Sequence, residues 1–344
     1  MGRVPGAGEG GDCFSYRAES VKKTYLVANC VCSDYRTKVS HKVEVKDSHK
    51  MEEAIRHISN LIRGYPKLEH VCLCLIPNTR FTINIDEVGP FQIRLRQDRA
   101  FWLRHPLSHD RYPMGALELF LREGGEVVYD IGANIGLYTR FAIDKFGASK
   151  VVAFEPMSSN RNQLLKNVGL SDFEDRITVL PFALSNEDGY AKLQVDDVQG
   201  QTAALDQVTG GSPAEGRLNM GLSPKTESVE TRLLDSVVYE DGLPKPDVIK
   251  IDVEGAEKMV LEGATKTIKY SSPDIILENH GKVEAKETVS FLLKEGYKLS
   301  GKMSERFKKK AGNSIGHNDI CKIKNKYDAR FIVASKRNIN ISMI

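Results

Sequence analysis

The stretch Val127-Val128-Tyr129-Asp130-Ile131-Gly132-Ala133-Asn134-Ile135-Gly136-Leu137-Tyr138-Thr139-Arg140 decides the fold. Val127 to Tyr129 are β-formers of a short buried strand. The strand ends at an acid, turns on Gly132, and enters a helix whose first turn holds Gly136 and Tyr138. A unit of this kind belongs to an α/β fold, where ligands bind outside the carboxyl ends of the strands and glycine admits close backbone approach. A diphosphate site calls for G-x-G-x-x-G, with the pyrophosphate on the helix N-terminus. Here the spacing is G-x-x-x-G, and Asp130 puts negative charge where a diphosphate would sit. A carboxylate at that point suits a cationic ligand.

Outward from this turn, Val151-Val152-Ala153-Phe154-Glu155-Pro156 is a second short apolar strand, ending in Glu155. An acid one strand beyond a glycine turn grips a ribose diol. S-adenosylmethionine fits both acids, because it carries a ribose and is positive at its amino group and sulfonium. The expected cofactor set is Asp130, Gly132, Asn134, Gly136 and Tyr138 around the turn, Glu155 and Pro156 after the second strand, Phe182 and Ala183 after the third, and Asp252.

Downstream of residue 112, strands alternate with helices expected at 136–146, 159–168, 256–268 and 284–295. Glycines 147, 169 and 296 act as stops. Strands at 151–154, 177–182, 247–251 and 274–277 follow the first, with 297–300 and 330–335 as the last two. This alternation implies βαβ units and a parallel sheet covered on both faces.

The string Lys250-Ile-Asp252-Val-Glu254-Gly255-Ala-Glu257 runs from the fourth strand into a helix. Val229-Glu-Thr231-Arg-Leu-Leu-Asp235 precedes it and Pro273-Asp-Ile-Ile-Leu-Glu278-Asn-His280 follows. With the D-I-G-A-N-I-G turn, this series resembles the FkbM-type methyltransferases, a branch of the class I S-adenosylmethionine-dependent enzymes, over roughly residues 115–335. The resemblance implies a Rossmann-like sheet with an antiparallel last strand, and an acceptor hydroxyl on a sugar, glycan or polyketide-like natural product. The same family includes N-methylation of a protein side-chain amide, which stays open, as does a cofactor-binding protein without turnover. One departure is a Gly/Ser/Pro-bearing insert, 200–224, longer than the family's.

Methyl transfer from a sulfonium is an in-line displacement in which alignment is worth up to about 7–11 kcal/mol. A hydroxyl acceptor also needs a base or a metal to remove its proton. Asp252, Glu254, Glu278 and His280 fall at or just beyond the ends of the fourth and fifth strands, which flank the first in this architecture. The expected catalytic set is His280, Asp252 and Glu278. His280 is the candidate base, because an unperturbed imidazole is mostly neutral at pH 7. Asp252 would orient it or hold the cofactor's amino group. Glu254 opens a helix, where an acid is favourable in any case. No dedicated metal site is expected. A metal-assisted version, with Asp252, Glu278 and His280 holding Mg²⁺ or Mn²⁺, stays open.

The chain has 344 residues, 41% hydrophobic and 28% charged, which allows two domains. A net charge of +3 gives no argument for a nucleic-acid partner. A small-molecule or glycan acceptor is the expected partner. No apolar run reaches the roughly 18 residues of a membrane span, and the glycine-rich start is unlike a secretory signal, so the expected location is cytoplasmic. Residues 1–12 read as a disordered tail, 13–112 as an accessory α+β module and 113–344 as the methyltransferase domain. In the module, strands are expected at 24–32, 38–45, 70–76, 81–85 and 91–95, with a helix at 49–63. Cys30/Cys32 and Cys72/Cys74 read as core-facing pairs, since zinc ligands are usually spaced C-x₂₋₄-C. His105 and His109 lack a third ligand. Phe101 and Trp102 read as packing at the domain seam, and the basic run 302–326 as solvated surface.

Overall fold

Strand–helix alternation carries the second half of the chain through one mostly parallel sheet. The computed structural model describes residues 25–30, 39–44, 80–95, 97–98, 111–196, 202–210, 218, 223–280, 282–301 and 331–337. The chain divides into two units, Met1–Ala54 and Ile55–Ile344. In the first, β1 (Tyr25–Cys30) and β2 (Val39–Glu44) form an antiparallel hairpin pairing Tyr25 with Glu44 and Cys30 with Val39. The expected tail 1–12, the helix at 49–63, the strand at 70–76, Cys32, Cys72, Cys74, Phe101, Trp102, His105, His109, most of the 200–224 insert and the run 302–326 lie outside the described residues.

The second unit opens with an antiparallel hairpin, β3 (Arg80–Ile85) and β4 (Gly89–Arg94). A helix not anticipated from the sequence, α1 (Arg111–Arg122), follows. Pro113 in its first turn costs no hydrogen bond, and Ala116, Leu117, Phe120 and Leu121 make its buried face. Next come β5 (Val127–Ile131) and α2 (Leu137–Arg140), the latter widening into a π-helical turn at Phe141–Lys145 where an ordinary helix was expected. Then come β6 (Lys150–Phe154), α3 (Ser158–Val168) and β7 (Ile177–Leu180).

From here the chain leaves the main sheet. Strands β8 (Ala183–Leu184), β9 (Gly189–Asp196) and β10 (Thr202–Leu205) are followed by the short helix α4 (Asp206–Thr209) and by β11 (Thr226–Arg232). These strands form a second sheet in the order β10-β9-β11-β8. None of its strands was expected from the sequence, and of them only β10 falls within the expected insert 200–224. The signal was the apolar alternation Ala191, Leu193, Val195 in β9, all three buried, with Tyr190 and Lys192 exposed at its start.

The chain returns through α5 (Leu234–Tyr239), β12 (Val248–Ile251), α6 (Glu257–Gly263), α7 (Thr265–Tyr270), β13 (Asp274–Glu278), α8 (Lys282–Lys294), β14 (Lys298–Gly301) and β15 (Phe331–Ser335). The helix expected at 256–268 is broken in two at Ala264. Asp235 supplies the break: its carboxylate accepts the backbone N–H groups of Lys266 and Thr267, capping α7 as a separate helix.

The main sheet runs β14-β15-β13-β12-β5-β6-β7. Pairings from β13 through β12, β5 and β6 to β7 are parallel. β15 is antiparallel to both β13 and β14, as the resemblance implied. Period-two alternation splits each strand between two cores. Tyr129, Ile131, Val152, Phe154, Ile249 and Ile251 meet α5 to α8 on one face. Val128, Val151, Val248, Ile276 and Val333 meet α1 and the π-helical turn on the other. Burying each such side chain contributes roughly 1.5–3 kcal/mol. The result is a three-layer α/β/α domain.

Candidate active site

The connection from β5 proceeds to β6 and β7 on one side, then returns to β12 and β13 on the other. The carboxyl ends of β5 and β12 therefore form a topological switch point, where open α/β sheets bind ligands. An open cleft of about 720 Å³ lies there, with walls that include Gly132, Asn134, Glu155, Phe182, Asp252 and Glu254. Pro156, Met157, Ala183 and, from the second sheet, Leu193 and Leu205 add apolar surface.

Glu155 is buried directly after β6. Its Oε2 accepts the Asn134 N–H at 2.8 Å and its Oε1 the Met157 N–H at 2.9 Å. Burial pushes its carboxyl up to about 7, although both N–H groups, Lys250 and Arg161 pull the other way. Four lone-pair sites on two oxygens leave room for further donors. Asn134 holds a left-handed backbone (φ 51°), and its side-chain oxygen is buried without a hydrogen-bond partner among the described residues.

The glycines also serve the packing of the chain against itself. A Cβ on Gly132 would come within 1.9 Å of the Asp252 carbonyl oxygen, and one on Gly136 within 2.4 Å of Leu164 Cδ1. Both also adopt positive φ. They let the chain pack against itself, and only Gly132 also borders the cleft.

Asp130 does not line the cleft. It is buried, accepts a hydrogen bond from Thr139 Oγ1 at 2.7 Å, and pairs with Lys250 Nζ at 3.3 Å. Lys250 in turn pairs with Asp252 at 3.3 Å, donates to the Gly132 carbonyl at 3.1 Å, and sits 4.8 Å from the centre of the Tyr138 ring. Burial alone would lower the lysine's pKa, and the charges of Asp130 and Asp252 outweigh that to raise it above its usual value. Lys250 thus links Asp130 and Tyr138 to Asp252 and Gly132, which border the cleft. The sequence reading overlooked this lysine because its partners come from neighbouring strands.

His280 follows β13 by two residues. Its Nδ1 lies 2.7 Å from Glu257 Oε1, and its Nε2 faces Asp252 Oδ1 at 3.5 Å, Glu278 Oε1 at 3.8 Å and Glu254 Oε2 at 3.9 Å. The three expected catalytic residues are thus together: one donor atom from each of Asp252, Glu278 and His280 lies within 4.8 Å of the others. The expectation of a neutral imidazole at pH 7 is corrected. Burial would lower its pKa, but the Glu257 hydrogen bond and the charges of Asp252 and Glu254 raise it to about 9. Glu257 was not among the expected site residues.

Residues 130–299 match the family model described as the methyltransferase FkbM domain. These residues form an FkbM methyltransferase domain. The FkbM domain holds every residue of the expected site. The antimetabolite synthetase AmbE of Pseudomonas aeruginosa is 29% identical over 48% of this chain and 9% of its own length. The hexuronic acid methyltransferase AglP of Haloferax volcanii is 30% identical over 51% of this chain and 66% of its own. The 31-O-demethyl-FK506 methyltransferase FkbM of Streptomyces tacrolimicus is 31% identical over 42% of this chain and 63% of its own. The chain spans less than two thirds of each of these relatives. No helix among the described residues is long and apolar enough to cross a membrane.

Proposed function

We propose that this protein is an S-adenosylmethionine-dependent O-methyltransferase whose acceptor is a hydroxyl on a sugar, glycan or polyketide-like natural product. The observation that carries the reading is the junction of two sites across Asp252. This residue lines the cleft that holds Glu155, and its other face meets the His280 ring.

The donor set fits the cofactor. Glu155 has acceptor capacity for both ribose hydroxyls, Asp252 offers a carboxylate to the cationic end, and Met157, Phe182 and Ala183 supply apolar surface for a purine. S-adenosylmethionine, when bound, supplies a methyl group on a positively charged sulfonium. Asp252 and Glu254 present negative charge on the same wall. His280 Nε2 is the atom that takes the proton from an acceptor hydroxyl. Because its neighbours hold the imidazolium to about 9, the base form grows as pH rises, and the rate follows it. The relatives AglP, a hexuronic acid methyltransferase, and FkbM, a 31-O-demethyl-FK506 methyltransferase, agree with a hydroxyl-bearing acceptor.

A second reading, metal assistance, rests on the proximity of Asp252, Glu278 and His280, a nitrogen and two oxygens suited to Mg²⁺ or Mn²⁺. Incubation with methyl-labelled S-adenosylmethionine and a panel of glycans and cell extracts separates the possibilities. A labelled ether on a small molecule or glycan, with turnover unaffected by EDTA, is the expected result. His280→Ala should then lower kcat by about 10²–10⁴ with cofactor affinity nearly unchanged. Loss of turnover in EDTA, restored by Mg²⁺ or Mn²⁺, selects metal assistance. Label on a protein side-chain amide alone selects N-methylation. Cofactor binding with no labelled product from any extract marks a protein without turnover.

A further inference from the structure

We propose that Glu257 is the positioning residue of this site, fixing the plane and tautomer of the His280 ring so that Nε2 faces the acceptor. The proposal rests on the reading of His280 as proton acceptor, and its geometric part can be measured without any substrate.

Glu257 is completely buried at the first position of α6. Its Oε1 accepts twice, from His280 Nδ1 at 2.7 Å and from the Gly255 N–H at 3.1 Å. The backbone bond prevents the carboxylate from swinging away from the ring. Its Oε2 is buried with no hydrogen-bond partner among the described residues. A buried acceptor without a partner is destabilising, so a purely structural role would be better served by an apolar side chain.

The turn that delivers Glu257 is itself constrained. Glu254 and Gly255 both hold left-handed backbone, φ 41° and 100°, and a Cβ on Gly255 would come within 2.6 Å of Val208 Cγ1. The left-handed Glu254 is a strained backbone of the kind found where geometry is held for function.

Among the described residues, every charged group facing the ring comes from one of three places. Glu257 approaches from α6, Asp252 and Glu254 from the turn before it, and Glu278 from the end of β13. Of these four acids Glu257 alone reaches Nδ1 and alone is fully buried; the side chains of Asp252, Glu254 and Glu278 are 28%, 39% and 12% exposed. A carboxylate oxygen accepts, so Nδ1 carries the hydrogen and the lone pair of the neutral ring falls on Nε2. That nitrogen points towards Asp252, which borders the cleft. Glu257 touches neither acceptor nor cofactor, and it acts through the ring.

Glu257→Met preserves length and removes the acceptor. Nitrogen NMR of the His280 ring at pH 10 should show a single tautomer with hydrogen on Nδ1 in the wild type and a mixture in the variant. Steady-state kinetics should show kcat reduced about 10- to 1,000-fold, with acceptor KM and cofactor Kd within twofold of wild type. Glu257→Asp, which keeps the charge, should recover part of kcat. A mixed tautomer or an Nε2–H ring in the wild type overturns the proposal, as does wild-type kcat in folded Glu257→Met. If Glu257→Met fails to fold, the wild-type tautomer and Glu257→Asp decide. A wild-type Nδ1–H ring beside wild-type turnover in His280→Ala keeps the geometry and removes the function reading instead.

Discussion

Glu155 is a carboxylate in a place that disfavours charge. Its carboxyl titrates at about 7 because burial outweighs the two backbone N–H groups it accepts. In the cofactor-free protein the raised value favours the protonated form. Its contribution to stability is therefore full below the ordinary carboxylate range and is lost as pH rises through about 7. Ribose hydroxyls donate to the ionised form, so cofactor binding runs the other way. Calorimetry from pH 6 to 8 should show affinity for S-adenosylmethionine rising with pH and levelling above 7, a trend absent in Glu155→Gln. At fixed pH, Glu155→Ala should weaken binding by about 10- to 100-fold, since hydrogen bonds to a charged group are worth roughly 1.5–3 kcal/mol. Unchanged affinity in the folded variant would remove Glu155 from the site. Glu155, Asp252, Glu278 and His280 were legible in the sequence because each stands where a strand gives out. Lys250 and Glu257 were not, because what they do depends on partners brought across strands or from a helix to a distant loop.

At the element scale, the widened turn after α2 is organised by one side chain. Arg140 is almost wholly buried; its guanidinium donates to the carbonyls of Val88 at 2.8 Å, Pro90 at 3.2 Å and Asn167, and it pairs with the partly buried Asp144. It therefore ties the β3–β4 hairpin and the end of α3 to the helix that follows the glycine turn. Arg140→Met would leave the partly buried Asp144 carboxylate with the Ser171 hydroxyl but without its cation, and removing one member of a buried pair costs about 3–5 kcal/mol. Urea unfolding should show a loss of that order, and a loss below about 1 kcal/mol would mean that the carbonyls and Asp144 find other partners. The sequence could not announce this element, because an arginine on an apolar helix face is indistinguishable from a surface one until its carbonyl acceptors are in place. The same holds for the split between α6 and α7, whose cap, Asp235, lies far back in the chain. Apolar periodicity, a local signal, did locate the parallel strands of the main sheet and most of the helices that cover it.

Over the whole molecule, the division expected near residue 112 falls between parts that are closely bonded. Asn167 on α3 exchanges hydrogen bonds with the backbone of Gln92, and Arg94 donates to the Ser159 carbonyl and Asn160 Oδ1. Asn160 itself borders the cleft. A chain beginning at residue 113 strips these partners from α3 and two carbonyls from Arg140. It should melt well below a chain beginning at residue 79 and bind S-adenosylmethionine more weakly. Equal melting temperatures by calorimetry would show the hairpin to be dispensable. A different consequence follows from the place of β15. It is the last strand in sequence order, yet it fills the gap between β13 and β14, and Arg337 just beyond it pairs with Asp274 at the start of β13. During translation, at about 5–20 residues per second, the edge of β13 waits several seconds for its neighbour to leave the ribosome. An unfinished or prematurely terminated chain therefore presents a bare, apolar strand edge to other nascent chains, a window in which chaperones rather than the fold itself guard against aggregation.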